Sequence, residues 1–293
     1  MTQDLLQLIS AEMKNFSKGQ KRIGSFILEH YDKAAFMTAA KLGETVGVSE
    51  STVVRFAAEL GFEGYPQLQK SLQDIIRNRL TTVQRMEIID EQLSGGVDVL
   101  HRVMSSDADK IRRTQEEIPG EDFDAVVNTI IGARRIYILG LRSSGVLAGF
   151  LSFYFNHIFE DVVNVGAAQG ETFEQMLRIG PEDVLIAISF PRYSQRTLKA
   201  VHYAKKQGAC IIGITDSTSA PLAAMSNQVL LARSEMASSF VDSLVAPMSL
   251  LNAIIVAVGL RKKHETSNTY AMLEQIWSDY DVYEKNEEIH SAP

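Results

Sequence analysis

The sequence of 293 residues contains one cysteine, seven prolines and no hydrophobic run long enough to cross a membrane as one helix. The lone Cys210 excludes an intramolecular disulfide framework and any zinc site built from several cysteines. The longest apolar stretch, 244–260, is interrupted by proline, serine and asparagine, which favours a buried core helix over a membrane span. Acidic residues precede the first apolar ones and no small-residue cleavage site follows, so we expect no secretory signal and a cytoplasmic location.

The net charge of −7 is unevenly distributed along the chain. Residues 1–80 carry ten Lys/Arg against nine Asp/Glu, whereas the remainder carries 19 against 27. An acidic total does not exclude nucleic acid, because binding depends on the local face that meets phosphate. Hydrophobic residues make up 45% of the chain, and its length suits about two domains with sizeable cores.

The pattern of apolar and polar residues changes near residue 120. The first 118 residues have helical patterns throughout, with a weak break at Gly95-Gly96 and a stop at Pro119-Gly120. Short apolar runs then alternate with amphipathic segments; these runs are 135–141, 161–166, 183–190, 209–216 and 228–233. Such alternation is typical of βαβ units and predicts a parallel sheet of five strands with both faces covered.

Residues 38–62 contain two short amphipathic helices joined by a glycine turn. Ser49 is suited to cap the second helix, and Gly47 is suited to the turn. A steep crossing of two helices requires a small residue in the first, and Gly43 supplies it. This pattern predicts a helix-turn-helix, although a small helical bundle with no DNA-binding role would show the same periodicity.

The outward face of the second helix carries the candidate DNA contacts. Residues near its N-terminus would enter a major groove, where Ser51, Thr52 and Arg55 can reach base edges or phosphates. A guanidinium such as that of Arg55 fits the two acceptors of guanine. Backbone phosphate contacts are expected from the flanking helices; the candidates are Lys21, Arg22, Tyr65 and Lys70.

These residues carry a family resemblance. The stretch from Arg22 to Leu72, which is centred on VSESTVVRFAAELGFEGYPQLQKSL, 48–72, resembles the N-terminal domain of the RpiR family of bacterial transcription regulators. In that family a winged-helix-like helical module precedes a sugar isomerase (SIS) domain, and the order of patterns here agrees. The resemblance extends over nearly the whole chain and implies DNA binding.

Three loops after the predicted strands carry the candidate ligand groups. Ligands of parallel α/β sheets bind beyond the carboxyl ends of the strands, near helix N-termini. The loop 140–146 offers Ser143, Ser144 and Gly145, although a serine here could simply cap a helix. The loop 189–197 offers three more hydroxyls, those of Ser189, Ser194 and Thr197, and a cluster of this kind suits a phosphate. In the third loop, Asp216 could be a ligand or a turn former.

The sequence lacks the fingerprints of other nucleotide and hydrolase sites. There is no G-x-G-x-x-G after a strand, no Gly-Lys-Ser/Thr P-loop and no G-x-S-x-G elbow. The hydroxyl loops instead resemble those of the SIS phosphosugar-binding domain, at Ser143, Ser144, Ser189, Ser194 and Thr197. The stretch ISFPRYSQRT is longer than the S-x-S-G-x-T loop of SIS isomerases and lacks its glycine. Glu235 falls where those isomerases carry a carboxylate, and we expect it to bind a sugar hydroxyl.

The resemblance implies an α/β protein, with an all-helical helix-turn-helix domain before a doubly wound, five-stranded, flavodoxin-like SIS sandwich. The expected segments are a DNA-binding domain over 1–77, a helical linker over 78–118, a sugar-sensing domain over 119–265 and a tail over 266–293.

The predicted function is transcriptional regulation of carbohydrate genes, as a repressor that a phosphorylated sugar controls. The partners would be operator DNA, the sugar phosphate and a second copy of the chain, as a dimer or tetramer; no catalytic residue, metal, cofactor or membrane is expected. Segments 98–117 and 242–260 offer apolar surface for oligomerisation, and 67–118 would transmit the signal. The alternative is an aldose–ketose phosphate isomerase with an accessory helical domain, which turnover of sugar phosphates would reveal.

Overall fold

A computed structural model describes residues 5–79, 98–166, 172–234 and 242–283, together with Val83 and Met86. Contacts between residues divide the chain into two compact units, Met1–Ile88 and Ile89–Pro293. The second unit includes the helix that follows Asp98, which the predicted segments assign to a linker. The exact limits of those four segments stay a prediction.

The N-terminal unit is helical, as the sequence predicts. Its helices are α1 (Leu5–Glu12), α2 (Lys18–Ala34), α3 (Ala39–Val46), α4 (Glu50–Glu59) and α5 (Tyr65–Arg79). They enclose one apolar core, whose members include the fully buried Ile23, Ile27, Leu42, Phe56 and Leu68. Because α3 and α4 bury the predicted apolar positions at helical spacing, the helix-turn-helix is confirmed.

The turn between α3 and α4 depends on two glycines. Gly47 ends α3 in the left-handed region at φ 69°, which glycine adopts without a steric penalty. A Cβ on Gly43 would lie 2.8 Å from the Val48 carbonyl oxygen, so the close crossing of the two helices excludes any side chain there. Ser49 then caps α4, since its side chain accepts a hydrogen bond from the Thr52 amide.

The second unit contains a five-stranded parallel sheet. The strands are β1 (Ile136–Gly140), β2 (Val162–Val165), β3 (Val184–Ile188), β4 (Cys210–Thr215) and β5 (Gln228–Leu231), in the order β2-β1-β3-β4-β5. Each lies inside an apolar run that predicted a strand, so all five predictions are confirmed. This order is that of flavodoxin-like folds.

Helices cover both faces of the sheet. They are α6 (Val99–Glu117), α7 (Gly120–Ile131), α8 (Ser144–Phe155), α9 (Thr172–Gln175), α10 (Gln195–Lys206), α11 (Val245–Arg261) and α12 (Lys263–Asp279). Alternate residues of one strand serve the two cores: Ile136 and Ile138 pack with Leu151 of α8, whereas Tyr137 and Leu139 pack on the other side. The period of two explains why β1 and β3 are buried along their whole length.

The apolar stretch 244–260 forms α11, and only one face of it is buried. Leu250, Leu251 and Ile254 belong to the core, whereas Val256 and Leu260 are 59% and 68% exposed. In the part of the chain that the structure describes, no single helix has the length and apolarity to cross a membrane. The pair α11 and α12, bent by 101° at their junction, meets the length and composition criteria only when the two are taken together.

Candidate functional site

The first turn of α4 presents a connected set of polar side chains. The hydroxyl of Ser49 lies 2.9 Å from that of Ser51 and 2.8 Å from that of Thr52. Arg55, one turn later, donates from Nε to the Ser51 carbonyl oxygen at 3.3 Å. These contacts orient the exposed guanidinium toward the N-terminal end of the helix, beside the hydroxyls. The structure thus brings Ser51, Thr52 and Arg55 together, as predicted, on one accessible face.

Three of the four predicted phosphate contacts are exposed cations. Lys21 and Arg22 lie on α2, and Lys70 lies on α5. Arg22 has a local role as well, since its Nη1 donates to the Gly47 carbonyl oxygen at 3.0 Å and so supports the turn before α4. A groove of about 510 Å³ beside Lys18, Lys21 and Arg22 keeps these cations accessible from solvent.

The fourth predicted contact, Tyr65, requires a correction. Its side chain is 3% exposed, and its hydroxyl donates to the carbonyl oxygens of Met37 at 2.8 Å and Ala34 at 3.3 Å. Burial raises the pKa of Tyr65 to about 12. A ring held in the core cannot reach a phosphate, so Tyr65 anchors α5 to the end of α2 instead. The sequence places it at the start of a helix but does not show which way it faces.

The predicted ligand loops meet at one edge of the sheet because β1 and β3 are neighbours. Gly140 at the end of β1 pairs with Ile188 at the end of β3. The residues that follow β1 and β3 therefore leave the sheet side by side, at its carboxyl edge. Ser144 and Ser189, one from each loop, are buried to 6% and 4% exposure. Buried hydroxyls at adjacent strand ends are the first element of the candidate ligand site.

The loop after β1 leads directly into α8. Ser143 is exposed and makes no side-chain capping bond, so the simple cap interpretation of this serine is wrong. Gly140 permits the tight entry to the helix, because a Cβ there would lie 2.3 Å from the Ser144 carbonyl oxygen. Gly145 follows in the first turn and is partly buried. The first turn of α8 consequently sits against the strand end, with its N-terminal dipole at the carboxyl edge.

The loop after β3 contributes the second helix N-terminus. Ser194 caps α10 by accepting a hydrogen bond from the Thr197 amide at 3.3 Å, and Thr197 is 1% exposed. Because the cap uses an acceptor lone pair of Ser194, its hydroxyl hydrogen stays available as a donor. Ser194 and Thr197 thus lie in the first turn that follows Ser189.

Two arginines occupy strained backbone positions in these same loops. Arg142, after β1, has φ 58°, and Arg192, after β3, has φ 61°. The left-handed region is disfavoured for residues with a Cβ, and such strain is often found at ligand sites. Both side chains are exposed at the carboxyl edge.

The loop after β4 supports the loop after β3. Asp216, 4% exposed, accepts a hydrogen bond from the Tyr193 hydroxyl at 2.8 Å, and the Thr215 hydroxyl donates to the Ser189 carbonyl oxygen at 2.8 Å. Asp216 is thereby engaged in holding the loop after β3. Nothing in the sequence indicates this role for Tyr193, because a tyrosine in a loop follows no periodic spacing.

Glu235 lies outside the described residues, in the gap 235–241. Sequence reasoning overlooked its neighbour Ser234, which is 2% exposed and follows β5 at the same edge. The Ser234 hydroxyl is buried without a hydrogen-bond partner in the part of the chain that the structure describes. An unsatisfied buried hydroxyl is unfavourable, so a water or ligand partner is expected there.

The opposite, amino edge of the sheet holds a cavity of about 570 Å³. Its wall carries the carboxylates of Glu160, Asp161 and Glu265 beside the cations Arg134 and Lys262, so it has no excess of positive charge that would favour an anion. Arg134 at its rim is engaged with the buried Asp183 through two hydrogen bonds of 3.0 and 2.8 Å. A phosphate therefore suits the carboxyl edge better than this cavity.

Two family models match the chain. Residues 3–79 match the helix-turn-helix domain of the rpiR family, and residues 129–257 match the SIS domain. These matches confirm the family resemblance and the expected order of the two domains.

Curated relatives are similar over most of their length. A helix-turn-helix transcriptional regulator from Clostridium perfringens is 25% identical over 221 residues, which are 73% of this chain and 76% of the relative. The regulator HexR from Pseudomonas aeruginosa is 24% identical over 229 residues, 78% of each chain.

A solved structure shares the fold. The NanR protein of Vibrio vulnificus, solved in complex with ManNAc-6P, is 20% identical, covers 93% of this chain and 98% of its own, and superposes with a TM-score of 0.56. The helical unit, the five-stranded parallel sheet and the two matched domains lead to one conclusion: the chain belongs to the RpiR family of transcriptional regulators.

Proposed function

We propose that this regulator binds operator DNA through α4 and changes its affinity for that DNA when a phosphorylated sugar binds at the carboxyl edge of its sheet. The single observation that carries the proposal is the juxtaposition of Ser144 and Ser189 at adjacent strand ends, in a chain that also exposes Arg55 on α4. The first arrangement suits an anion and the second suits a major groove.

The DNA-binding part rests on the exposed polar turn of α4. Ser51, Thr52 and Arg55 would contact base edges, and Lys21, Arg22 and Lys70 would contact phosphate. The chain is acidic overall, so binding has to depend on this local face and has to weaken as salt rises.

The sugar phosphate would be held by hydroxyls and two helix N-termini. Ser143, Ser144, Ser189, Ser194 and Thr197 supply donors, and the amides of Gly145 and its neighbours add their dipoles. Glu235 would bind a sugar hydroxyl. NanR, solved with ManNAc-6P, supports a phosphorylated sugar as the class of effector.

Exposed apolar residues support a homo-oligomer. They lie on three helices of the second unit: Leu100 and Met104 on α6, Val146 and Phe153 on α8, and Val256 and Leu260 on α11. Covering them would remove apolar surface from water, and a symmetric dimer would present two α4 helices to a near-palindromic site. We propose a dimer, or a tetramer built from it, located in the cytoplasm with its DNA.

We further propose that the protein represses transcription and catalyses no reaction. Isomerisation of an aldose or ketose needs a base near C1 and C2 and an acid for ring opening. The loops 141–143, 189–194 and 216–222 contain no histidine, and their one carboxylate, Asp216, accepts bonds from Tyr193 and Thr215, while we assign Glu235, after β5, to a sugar hydroxyl rather than to proton transfer. Both curated relatives are named as regulators.

The test has a ligand arm and a DNA arm. Melting of the full chain is followed with N-acetylmannosamine 6-phosphate and fructose 6-phosphate, with the unphosphorylated sugars and inorganic phosphate as matched controls. At least one sugar phosphate should raise Tm more than its controls, and the same compound should change the mobility shift of a duplex selected from a random library. Turnover of the sugar phosphates, or the absence of any selected duplex, would contradict the proposal.

A further inference from the structure

The helix α6 carries a stripe of polar residues on one face. Asp107, Lys110, Thr114 and Glu117 follow one another at intervals of three, four and three residues, which places them on one side of a helix. Lys110 and Thr114 are its two buried residues, at 8% and 5% exposure. By contrast, the apolar Leu100 and Met104 of the same helix are 64% and 63% exposed. The best-buried positions of α6 are thus polar, and the contacts they make are directional.

The C-terminal half of the stripe holds the chain just after β5. The Arg233 amide donates to the Thr114 hydroxyl oxygen at 2.9 Å, and the Arg233 guanidinium pairs with the Glu117 carboxylate. Arg233 is the immediate neighbour of Ser234, whose buried hydroxyl has no hydrogen-bond partner among the described residues. One end of α6 is therefore bound to the backbone that leads into the candidate ligand site.

The middle of the stripe holds the chain just before α11. The Ser243 hydroxyl donates to Asp107 Oδ1 at 2.7 Å, and Lys110 Nζ donates to the same oxygen at 3.0 Å. The Lys110 and Asp107 side chains are only 9% and 19% exposed, so water screens this ion pair poorly. Asp107 Oδ1 thus joins α6 to Ser243, in the segment that follows residues 235–241.

The flank of the stripe is incompletely packed. A groove of about 410 Å³ runs beside Thr114, between α6, α7 and α11, and its wall is largely apolar, with Ile111, Phe123 and Leu250 among its residues. A helix that borders an unfilled groove can shift at lower cost than one enclosed in a dense core. The polar contacts of the stripe therefore hold α6 on a side where its packing against α7 and α11 leaves an unfilled groove.

We propose that Asp107, with Lys110 and Ser243, is the positioning group that converts occupancy of the carboxyl edge into a change in DNA binding. This inference rests on the proposed function, and it names the contacts that carry the response. The chain leads from the helix-turn-helix unit into α6, and α6 is held by Arg233 and Ser243, which lie on either side of residues 235–241 in the sequence after β5. These contacts have two arrangements, and α6 has a different position in each. A sugar phosphate that binds one arrangement more tightly than the other changes the position of α6 and thereby regulates DNA affinity.

The experiment compares two carboxylates of the same helix. Asp107→Asn leaves Lys110 without its ionic partner, whereas Asp109→Asn removes an exposed carboxylate that pairs with Arg112. For each full-length variant, the operator Kd is measured with and without the sugar phosphate that gives the larger Tm shift, N-acetylmannosamine 6-phosphate or fructose 6-phosphate. The affinity of that compound is measured separately by calorimetry.

In the wild type the sugar phosphate should change the operator Kd by about 10-fold, within the usual range of allosteric coupling. In Asp107→Asn that ratio should fall to about 2-fold, while the sugar phosphate still binds with an affinity within about 3-fold of the wild type. Asp109→Asn should keep the full ratio. Ser243→Ala, which preserves the Lys110 ion pair and removes one hydrogen bond, should give an intermediate ratio and serves if Asp107→Asn does not fold.

The outcomes separate the two claims. A wild-type chain that binds neither sugar phosphate overturns the proposed function, and the inference falls with it. A wild-type chain that responds normally, together with Ser243→Ala and Asp107→Asn variants that respond equally well, overturns the inference alone. Loss of the response in Asp109→Asn as well would assign the effect to general damage to α6 and overturn the inference too.

Discussion

The two units build their sites in different ways. In the helical unit the candidate DNA contacts Ser51, Thr52 and Arg55 are close in sequence and held by one capped helix, with Ser51 and Arg55 exposed and Thr52 half-buried. In the α/β unit the candidate ligand groups come from separate loops, and Ser144, Ser189 and Thr197 are buried. The first site is local and its geometry follows from helix periodicity, whereas the second exists only when β1 and β3 are paired. This contrast predicts that point substitutions will affect the two sites independently and by different mechanisms.

The largest effect is expected from removing both buried hydroxyls of the α/β unit. Ser144→Ala with Ser189→Ala should lower sugar phosphate affinity by about 3 kcal/mol or more, because each hydrogen bond to a charged oxygen contributes about 1.5–3 kcal/mol. Calorimetry measures the loss, and mobility shifts should show unchanged operator binding. The control replaces two exposed serines, Ser105→Ala with Ser278→Ala, and should bind normally. Retained effector binding in the first variant would place the ligand elsewhere.

A slightly smaller effect is expected from closing the space at the end of β1. Gly140→Ala puts a methyl group 2.3 Å from the Ser144 carbonyl oxygen, so α8 has to shift, at a cost of about 2–3 kcal/mol. Denaturant unfolding should show a less stable α/β unit and an unchanged helical unit. Gly180→Ala is the matched control, because no atom lies within 4 Å of its Cβ position. Equal stability of both variants would contradict the tight entry into α8.

In the helical unit, Arg55→Ala should weaken specific operator binding by about 1–3 kcal/mol, the usual contribution of an arginine to base recognition. The Tm shift produced by the sugar phosphate should persist, since the α/β site is intact. Arg112→Ala removes an exposed arginine of the second unit and should leave both properties unchanged. Operator affinity that survives Arg55→Ala would show that α4 is not the reading helix.

The smallest effect concerns Tyr65, which the structure moved from the DNA face to the core. Tyr65→Phe should cost the helical unit about 1 kcal/mol at neutral pH, because two carbonyl oxygens lose a donor. The raised pKa of about 12 means that the unfolded chain loses its phenolic proton first as pH rises above about 10. Stability should therefore fall between pH 10 and 12 in the wild type, and less steeply in Tyr65→Phe.

Tyr283 is exposed, so Tyr283→Phe is the control, and its unfolding stability should match that of the wild type. Identical pH profiles for Tyr65→Phe and the wild type would contradict a neutral, buried Tyr65. Mobility shifts of Tyr65→Phe at neutral pH should show operator binding close to that of the wild type, in contrast to Arg55→Ala.

The sequence predicted the local features well for physical reasons. Five apolar runs gave the five strands, and the spacing of Val53, Phe56, Ala57 and Leu60 gave α4, because burial imposes a period on each element. The turn chemistry of Gly47 and the cap of Ser49 also followed from the residues alone. The roles of the individual site residues stay predictions, since only their positions are known.

What the sequence did not predict is the direction in which individual side chains point and the contacts between residues distant in the chain. Tyr65 starts a helix in either interpretation, and only the packing of α5 against the end of α2 shows that its hydroxyl faces inward. Ser143 occupies the N-cap position of α8 and is a residue type that often caps helices, yet its side chain makes no capping hydrogen bond. The bond between Tyr193 and Asp216 joins two loops 23 residues apart, a contact that no local pattern encodes.

The sequence by itself determined the family, the alternation of strands and helices, and the helix-turn-helix, because each depends on residues close together in the chain. The tertiary structure alone decided that β1 lies beside β3, that Ser144 and Ser189 are buried at one edge, and that α6 is held by polar contacts from Asp107 and Thr114. Those facts depend on sheet order and on contacts across more than a hundred residues, where chain connectivity imposes no pattern that can be read from composition or spacing.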